Sequence, residues 1–308
     1  MTDAGDTQSK TRFAAEPAPA QTQEVRRVTL WGLAINLALC VIKFLVGVVG
    51  SSQALVADAV HSLSDSVTDM VVLIGVRFWS APPDESHPYG HGRIETLITF
   101  CIGIVLGAVG IGLGYRAIAS LHAQQTTSPG WVAFAAACVS IAGKEWLYQW
   151  NVRVGRRIKS SALLANAWHH RSDALSSVPV AIAVLGARIW PAWGFLDLIA
   201  TVIVAVMILY AAWEVAAPAF RHLIDAGASE KERARICAIA LDTDGVRSIH
   251  AVRTRYVGPG LLVDLHVMVG GDLSVREGHD IARSVKHRLI DGGPDIIDVL
   301  VHIEPDAP

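Results

Sequence analysis

Two histidine–aspartate pairs with identical spacing lie inside long apolar runs of this 308-residue chain. His61 stands four residues before Asp65, and His169 stands four residues before Asp173. Residues four apart on a helix lie one above the other, so each pair presents an imidazole and a carboxylate on one face. Two such helices facing each other predict a tetrahedral site with two nitrogen and two oxygen ligands for a divalent metal ion.

The charges of these four side chains favour a metal site. Two neutral imidazoles, two carboxylates and one divalent cation sum to zero, which is the total that costs least inside a bilayer. Without the metal the carboxylates need protons, so metal and protons compete for one site. Imidazole ligands favour zinc or a similar transition ion over calcium and magnesium. The alternative is that the four side chains only hydrogen-bond neighbouring helices.

Two further aspartates lie on the first of these runs. Asp58 precedes His61 by three residues, and Asp69 follows Asp65 by four, so both lie near the same helical stripe. They extend an ion path, or they lie in water at the mouths of the helix, and the sequence favours neither.

The surrounding composition is that of a membrane protein. The chain is 52% hydrophobic and 18% charged, whereas about 25% charged residues is usual for a soluble domain. Runs of about 20 apolar residues are long enough to cross a bilayer, and the sequence has six: 28–50, 53–76, 96–115, 131–152, 160–187 and 192–217. A net charge of -2 argues against nucleic acid as a partner. Four isolated cysteines exclude a disulfide scaffold and a thiolate zinc finger.

These patterns divide the chain into three parts. Residues 1–25 are predicted to be a disordered tail, 26–220 a six-helix transmembrane domain, and 221–308 a small α/β domain of order αββαβ. In the last part the helices are predicted at 230–241 and 275–290, and the strands at 248–256, 261–269 and 297–304. Basic residues are concentrated in alternate connections, which predicts that both termini are cytoplasmic.

Three ordered motifs resemble those of the cation diffusion facilitators. They lie at 52–65, which contains His61 and Asp65, at 87–95, and at 167–177, which contains His169 and Asp173. The resemblance implies a homodimeric, proton-coupled exporter of divalent metal, not an enzyme, with a six-helix membrane domain and a metallochaperone-like cytoplasmic domain. It implies that these four residues form the transport site. Members with Asp in place of the first His are often linked to iron or manganese, so His61 favours zinc. We expect a bacterial inner membrane.

The resemblance also assigns a site in the loop between the second and third runs. Asp84, His87 and His91 have spacings of three and four residues, which suit ligands on one turn. Taken alone, ordinary loop residues are the simpler interpretation. The family has a peripheral metal site whose positions match these three residues.

The C-terminal domain carries a second set of histidines. His302 and Glu304 are two residues apart on a predicted strand and therefore share one face of the sheet. The resemblance implies a binuclear site at a dimer interface, with ligands at His250, His266 and His302 and with His279 bridging nearby. Glu304 replaces the more usual Asp. The longer side chain alters the geometry at the second metal, whereas the charge of the ligand stays the same.

One more pair follows from the resemblance. In the family, a basic residue at the position of Arg93 and an Asp at that of Asp225 form a charge link between the membrane and cytoplasmic domains. Otherwise they are two exposed charges, whose interaction is worth less than about 1 kcal/mol.

Several other functions compete with zinc export. The exported ion could instead be iron, cobalt, cadmium or manganese. A membrane-anchored metal sensor that moves no ions has no need to bury two His/Asp pairs. An intramembrane metalloenzyme is disfavoured because the sequence contains no H-E-x-x-H motif. An ion channel needs a continuous pore, which the sequence does not exclude.

Overall fold

The computed structural model describes residues 19–79, 81, 83–123, 128–158 and 160–306. Six long helices come first: α1 (Pro19–Val49), α2 (Gln53–Trp79), α3 (Gly92–His122), α4 (Trp131–Arg157), α5 (Ser161–Ile189) and α6 (Phe195–Leu223). The remaining elements are α7 (Glu230–Leu241), β1 (Ser248–Val257), β2 (Gly260–Val269), α8 (Val275–Gly292) and β3 (Ile296–Pro305). The predicted fold class, a helical membrane domain followed by an αββαβ domain, is confirmed.

Four stretches of described helix are long and apolar enough to cross a membrane: Gln23–Val49, Gly92–His122, Leu163–Ile189 and Phe195–Leu223. Their outward side chains include large apolar groups such as Ile104, Ile182 and Val206, each more than half exposed. Apolar surface of this kind is typical of helices that contact lipid. Helices α2 and α4 are similar in length and carry the polar side chains described below.

The first helix begins earlier than expected. It starts at Pro19, inside the segment predicted to be a disordered tail, and residues 1–18 lie outside the described part of the chain. Glu24 forms an ion pair with Arg157 of α4, and Val25 packs beside Val154. These tertiary contacts, which local composition does not reveal, stabilise the first turns of α1.

The described residues form two compact units, and the division falls within α2, α3 and α6. The first contains the described residues up to Ser66 together with Tyr115–Val204. Small residues allow its helices to pack closely. A β-carbon on Gly143 of α4, for example, would lie 2.9 Å from Leu39 Cδ1 of α1. Asp197, at the start of α6, accepts hydrogen bonds from the Ser52 hydroxyl (2.6 Å) and the Gln53 amide (2.8 Å). It therefore satisfies backbone donors at the beginning of α2.

The second unit contains Val67–Gly114 and the residues from Ala205 onward. Within it α3 and α6 pack closely, since a β-carbon on Gly103 would lie 2.7 Å from the Ala216 β-carbon. The same unit includes the C-terminal sheet, in the order β1-β2-β3, with β1 antiparallel and β3 parallel to β2.

The core of the C-terminal domain lies on one face of this sheet. Alternate residues of β2 pack against α7 and α8 in a cluster that includes Val263, Leu265, Val267, Ile236, Val285 and Leu289. The intervening residues of β2 point to the other face, because side chains alternate along a strand. Both helices begin with a capping box, Ser229 with Glu232 and Ser274 with Glu277.

Candidate metal centres

The first centre lies where α2 meets α5. Asp65 of α2 and His169 and Asp173 of α5 each offer a ligand atom, and these atoms all lie within 4.8 Å of one another. His169 Nε2 is 3.8 Å from Asp173 Oδ2, as their spacing of one helical turn requires. The Asp173 side chain is 10% exposed and the His169 side chain is 47% exposed, so the cluster is buried on one side and exposed on the other.

His61, the fourth predicted ligand, stands one turn before Asp65 on α2 but is not among these mutually close ligand atoms. Its Nδ1 atom is buried and has no hydrogen-bond partner in the described part of the protein. A buried polar nitrogen without a partner costs free energy. The structure therefore brings together three of the four predicted residues, and leaves an unsatisfied imidazole nitrogen one turn away.

Two buried lysines adjoin this centre, and the chemistry predicted from the sequence did not include them. Lys43 of α1 is fully buried and lies 3.0 Å from Asp58 Oδ2. Lys144 of α4 is 2% exposed and lies 3.4 Å from Asp173 Oδ2. Both ammonium groups donate to the Ser62 hydroxyl, at 2.6 Å and 3.0 Å. The signal in the sequence is a lysine within each of two apolar runs.

Asp58, one of the two additional aspartates on the second apolar run, is buried. Asp58 is 2% exposed and also accepts a hydrogen bond from the Ser177 hydroxyl at 3.0 Å. It therefore does not lie in water at the mouth of a helix. The side chain of Asp69 lies outside the described residues.

His170, next to the candidate ligand His169, is held by amides rather than by carboxylates. Its two ring nitrogens lie 3.4 Å from the side-chain nitrogens of Asn36 and Asn166. Arg171 donates a hydrogen bond to the Tyr148 hydroxyl (3.0 Å) and lies over the Tyr148 ring. These contacts hold α5 against α1 and α4.

The second centre is the loop before α3. Asp84, His87 and His91 offer ligand atoms within 4.8 Å of one another. Asp84 Oδ1 lies 3.3 Å from His87 Nδ1, and Asp84 Oδ2 lies 3.4 Å from His91 Nε2. Hydrogen bonds from the Ser86 hydroxyl and the His87 backbone lower the pKa of Asp84. The loop therefore places an ionised carboxylate between two imidazoles, a ligand set suited to zinc.

The third centre is built by the register of the C-terminal sheet. His250 pairs with His266, and His266 pairs with His302, so the three histidines form a row across the three strands. Glu304 stands beside this row, 3.2 Å from His250 Nε2, 2.7 Å from His266 Nδ1 and 3.5 Å from His302 Nε2. The ligand atoms of His250, His266 and Glu304 lie within 4.8 Å of one another, close enough to share one metal ion.

His279, the proposed bridging residue, is not part of this row. It is an exposed residue of α8, and α8 packs on the face of the sheet that Val263, Leu265 and Val267 present. His266 points to the opposite face because it alternates with these residues. Within one copy of the chain, His279 is therefore separated from the other histidines by the sheet.

Arg93 and Asp225, the remaining predicted pair, do meet. The guanidinium of Arg93, in the first turn of α3, forms an ion pair with Asp225, just beyond the end of α6. Both side chains are about half exposed. Asp225 has a left-handed backbone (φ 59°), the conformation that commonly ends a helix.

The chain is similar to known transport proteins along most of its length. Residues 29–224 match the cation efflux transmembrane domain, and residues 228–306 match the cytoplasmic domain of cation efflux proteins. An uncharacterized transporter of Methanocaldococcus jannaschii is 38% identical over 267 residues, covering 87% of this chain and 94% of the relative. The manganese efflux system protein MneP of Bacillus subtilis is 32% identical over 293 residues, covering 94% of this chain and 98% of that protein.

A third relative is similar over almost the same length of the chain. The magnetosome protein MamB of Magnetospira sp. is 32% identical over 278 residues, which cover 90% of this chain and 94% of that protein. The two domains of the chain thus match the two domains of one family of membrane transporters. This chain belongs to the cation diffusion facilitators, the family of cation efflux proteins.

Proposed function

We propose that this protein exports divalent metal ions from the cytoplasm by exchange for protons. The observation that supports this proposal is the cluster of Asp65, His169 and Asp173 on two helices of the membrane domain. Carboxylates at this depth are costly unless a cation or protons neutralise them. His61 would complete the set, because its buried Nδ1 atom has no other partner among the described residues.

Zinc is the substrate that we propose first. Two imidazoles and two carboxylates in tetrahedral arrangement suit zinc, whereas calcium and magnesium prefer oxygen ligands alone. Manganese is the second candidate, since the three residues that lie together contain two carboxylates and one imidazole, a harder set. The similarity to a manganese efflux protein agrees with this alternative.

Proton exchange follows from the same charges. When the metal leaves, the carboxylates of Asp65 and Asp173 lose a doubly positive neighbour in a medium of low dielectric constant. Proton binding restores the balance, and a new metal ion displaces the protons. Exposure of the site to alternate sides of the membrane would then couple the export of metal to the inward movement of protons.

We further propose a homodimer with both termini in the cytoplasm. The sheet face that carries His302 also presents Leu300, which is 68% exposed, so an apolar and metal-binding surface is available to a second copy. Metal at the sheet and at the loop of Asp84, His87 and His91 would regulate or supply transport. This arrangement places the C-terminal domain where it meets cytoplasmic metal.

Transport into proteoliposomes tests the proposal. Wild-type protein should take up zinc, or manganese, with an opposite movement of protons recorded by a trapped pH dye. The change Asp173→Asn should reduce uptake by at least about 100-fold, because a ligand and its charge are lost. The control is Glu145→Gln, which makes the same chemical change on α4, where Glu145 contacts Gln149 and not the cluster.

Three outcomes would contradict parts of this proposal. Metal uptake without proton movement would indicate a channel and overturn exchange. Metal binding without uptake would indicate a sensor. Full uptake by Asp173→Asn would show that the cluster is not the transport site.

A further inference from the structure

The two buried lysines of the membrane domain have no role in the function proposed so far. A lysine within a membrane helix is costly, and it persists where it pairs with an anion or performs a function. Lys43 and Lys144 both reach the hydroxyl of Ser62 on α2, but their anionic partners differ.

Lys43 forms a complete pair. Its ammonium group lies 3.0 Å from Asp58 Oδ2, and the other oxygen of Asp58 accepts a hydrogen bond from Ser177. One positive and one negative charge cancel, and their polar atoms are satisfied. This pair is a neutral unit that holds α1, α2 and α5 together.

Lys144 has no such dedicated partner. Among the described residues, the carboxylate within 4 Å of its ammonium group is that of Asp173, at 3.4 Å. Asp173 also belongs to the cluster of proposed metal ligands. A divalent ion held by Asp173 would lie close to the Lys144 ammonium group, and two cations at such a distance repel each other strongly away from water.

The count of charges makes this conflict explicit. Asp65 and Asp173 contribute two negative charges and Lys144 contributes one positive charge, so the empty site carries -1 with neutral imidazoles. A divalent ion changes this total to +1 while Lys144 stays charged. Without Lys144 the loaded site would be neutral.

We infer that Lys144 is a tethered cation that pairs with Asp173 in the empty site and is displaced from it when a metal ion binds. The inference rests on the proposed transport site. The hydroxyl of Ser62, 3.0 Å from the ammonium group, gives Lys144 a second partner that it keeps when it leaves the carboxylate. Lys144 thereby weakens metal binding and speeds metal release, which a carrier needs as much as capture.

Metal binding to the full-length protein in detergent micelles tests this inference. Every protein compared, including the wild-type reference, carries His87→Ala and His266→Ala, which remove ligands of the other two candidate centres. Calorimetric titrations with zinc and with manganese, at one fixed pH, should show that Lys144→Gln binds metal at least about tenfold more tightly than wild type. Lys144→Arg keeps the charge and should keep the wild-type affinity. In proteoliposomes, Lys144→Gln should turn over more slowly despite its tighter binding, a combination that simple damage to the fold does not produce.

The matched control is Ser140→Ala, one turn earlier on α4. The hydroxyl of Ser140 is buried and has no hydrogen-bond partner in the described part of the protein. Its removal changes a buried polar group on the same helix without changing charge, and the metal affinity should stay at the wild-type value.

The outcomes separate this inference from the function on which it rests. Absence of metal binding to wild-type protein would overturn both. Normal binding by wild type with equal or weaker binding by Lys144→Gln would overturn the inference alone. If Lys144→Gln does not fold, an experimental structure of metal-loaded wild type decides: Lys144 Nζ beyond 4 Å from Asp173 supports displacement, and a retained 3.4 Å contact overturns it.

Discussion

The carboxylate of Glu304 lies 2.7 Å from His266 Nδ1, across the parallel pairing of β3 with β2. The longer side chain of glutamate therefore still reaches the row of histidines. A metal at this site would bind to oxygen from Glu304 and nitrogen from His250 and His266, a set suited to zinc.

Loss of this carboxylate should weaken metal binding by the C-terminal domain. We expect Glu304→Gln to reduce zinc affinity by about 10- to 100-fold, measured by titration in an Asp173→Asn background so that the transport site is inactive. His279→Ala should bind as the background protein does, since His279 lies on the helical side of the sheet. An equal loss in both variants would contradict this assignment of the ligands.

His61 should control which metal is carried. His61→Asp replaces a nitrogen ligand by oxygen, so the ratio of manganese to zinc uptake in proteoliposomes should rise. His122→Asp, the same change at the exposed end of α3, should leave the ratio unaltered. An unchanged ratio in His61→Asp would argue against a ligand role for His61.

The ion pair of Arg93 and Asp225 should respond to charge reversal. Arg93→Glu and Asp225→Arg each place like charges together, and each should reduce transport. The double reversal restores opposite charges and should recover most of it, although an exposed pair is itself worth only about 1 kcal/mol or less. Uptake by the double variant no better than that of the singles would show that the pairing is unimportant.

The capping box of α7 should make stability depend on pH. The hydrogen bond from the Ser229 side chain lowers the pKa of Glu232 below its ordinary value, and the hydrogen bond from the Ser229 backbone adds a smaller effect in the same direction. A lowered pKa in the folded state means that these bonds stabilise the domain above the unfolded pKa of about 4.3, and that the contribution is lost as pH falls through the folded pKa.

Thermal unfolding measures this effect. Glu232→Gln should melt below wild type at pH 7, and the difference should shrink as pH falls below about 4. Ser229→Ala removes the cap itself and should lower the free energy of unfolding by about 1 kcal/mol. Glu230→Gln, in the same turn but outside the capping box, is the control. A difference for Glu232→Gln that is constant with pH would rule out this explanation.

Two glycines of α3 provide a matched test of helix packing. Gly103→Ala would bring a β-carbon within 2.7 Å of the Ala216 β-carbon on α6, so it should destabilise the protein by about 1–3 kcal/mol. Gly112→Ala meets nothing within 4 Å and should be neutral or slightly stabilising. On heating in detergent without ligand, Gly103→Ala should therefore unfold at a lower temperature than wild type. Gly112→Ala should not. Similar melting curves for the two variants would disprove the close contact.

Much of this protein could be predicted from residue order alone. Helical periodicity places His169 above Asp173 and His61 above Asp65 because the interval of four residues is a local property of any helix. The length of the apolar runs predicts membrane helices, and alternation along the chain predicts the strands of the C-terminal domain. The spacing of Asp84, His87 and His91 likewise lies within one loop.

The partners between distant elements were decided only by tertiary packing. In the sequence Lys43 and Lys144 are isolated charges. Packing of α1, α4 and α5 around Ser62 places Lys43 beside Asp58 and Lys144 beside Asp173. No local interval encodes the alignment of His250, His266 and His302, because a shift of one residue in either strand pairing would turn a histidine to the other face of the sheet. The spacing of residues thus determines local geometry, whereas the pairing of charges depends on which helices and strands become neighbours.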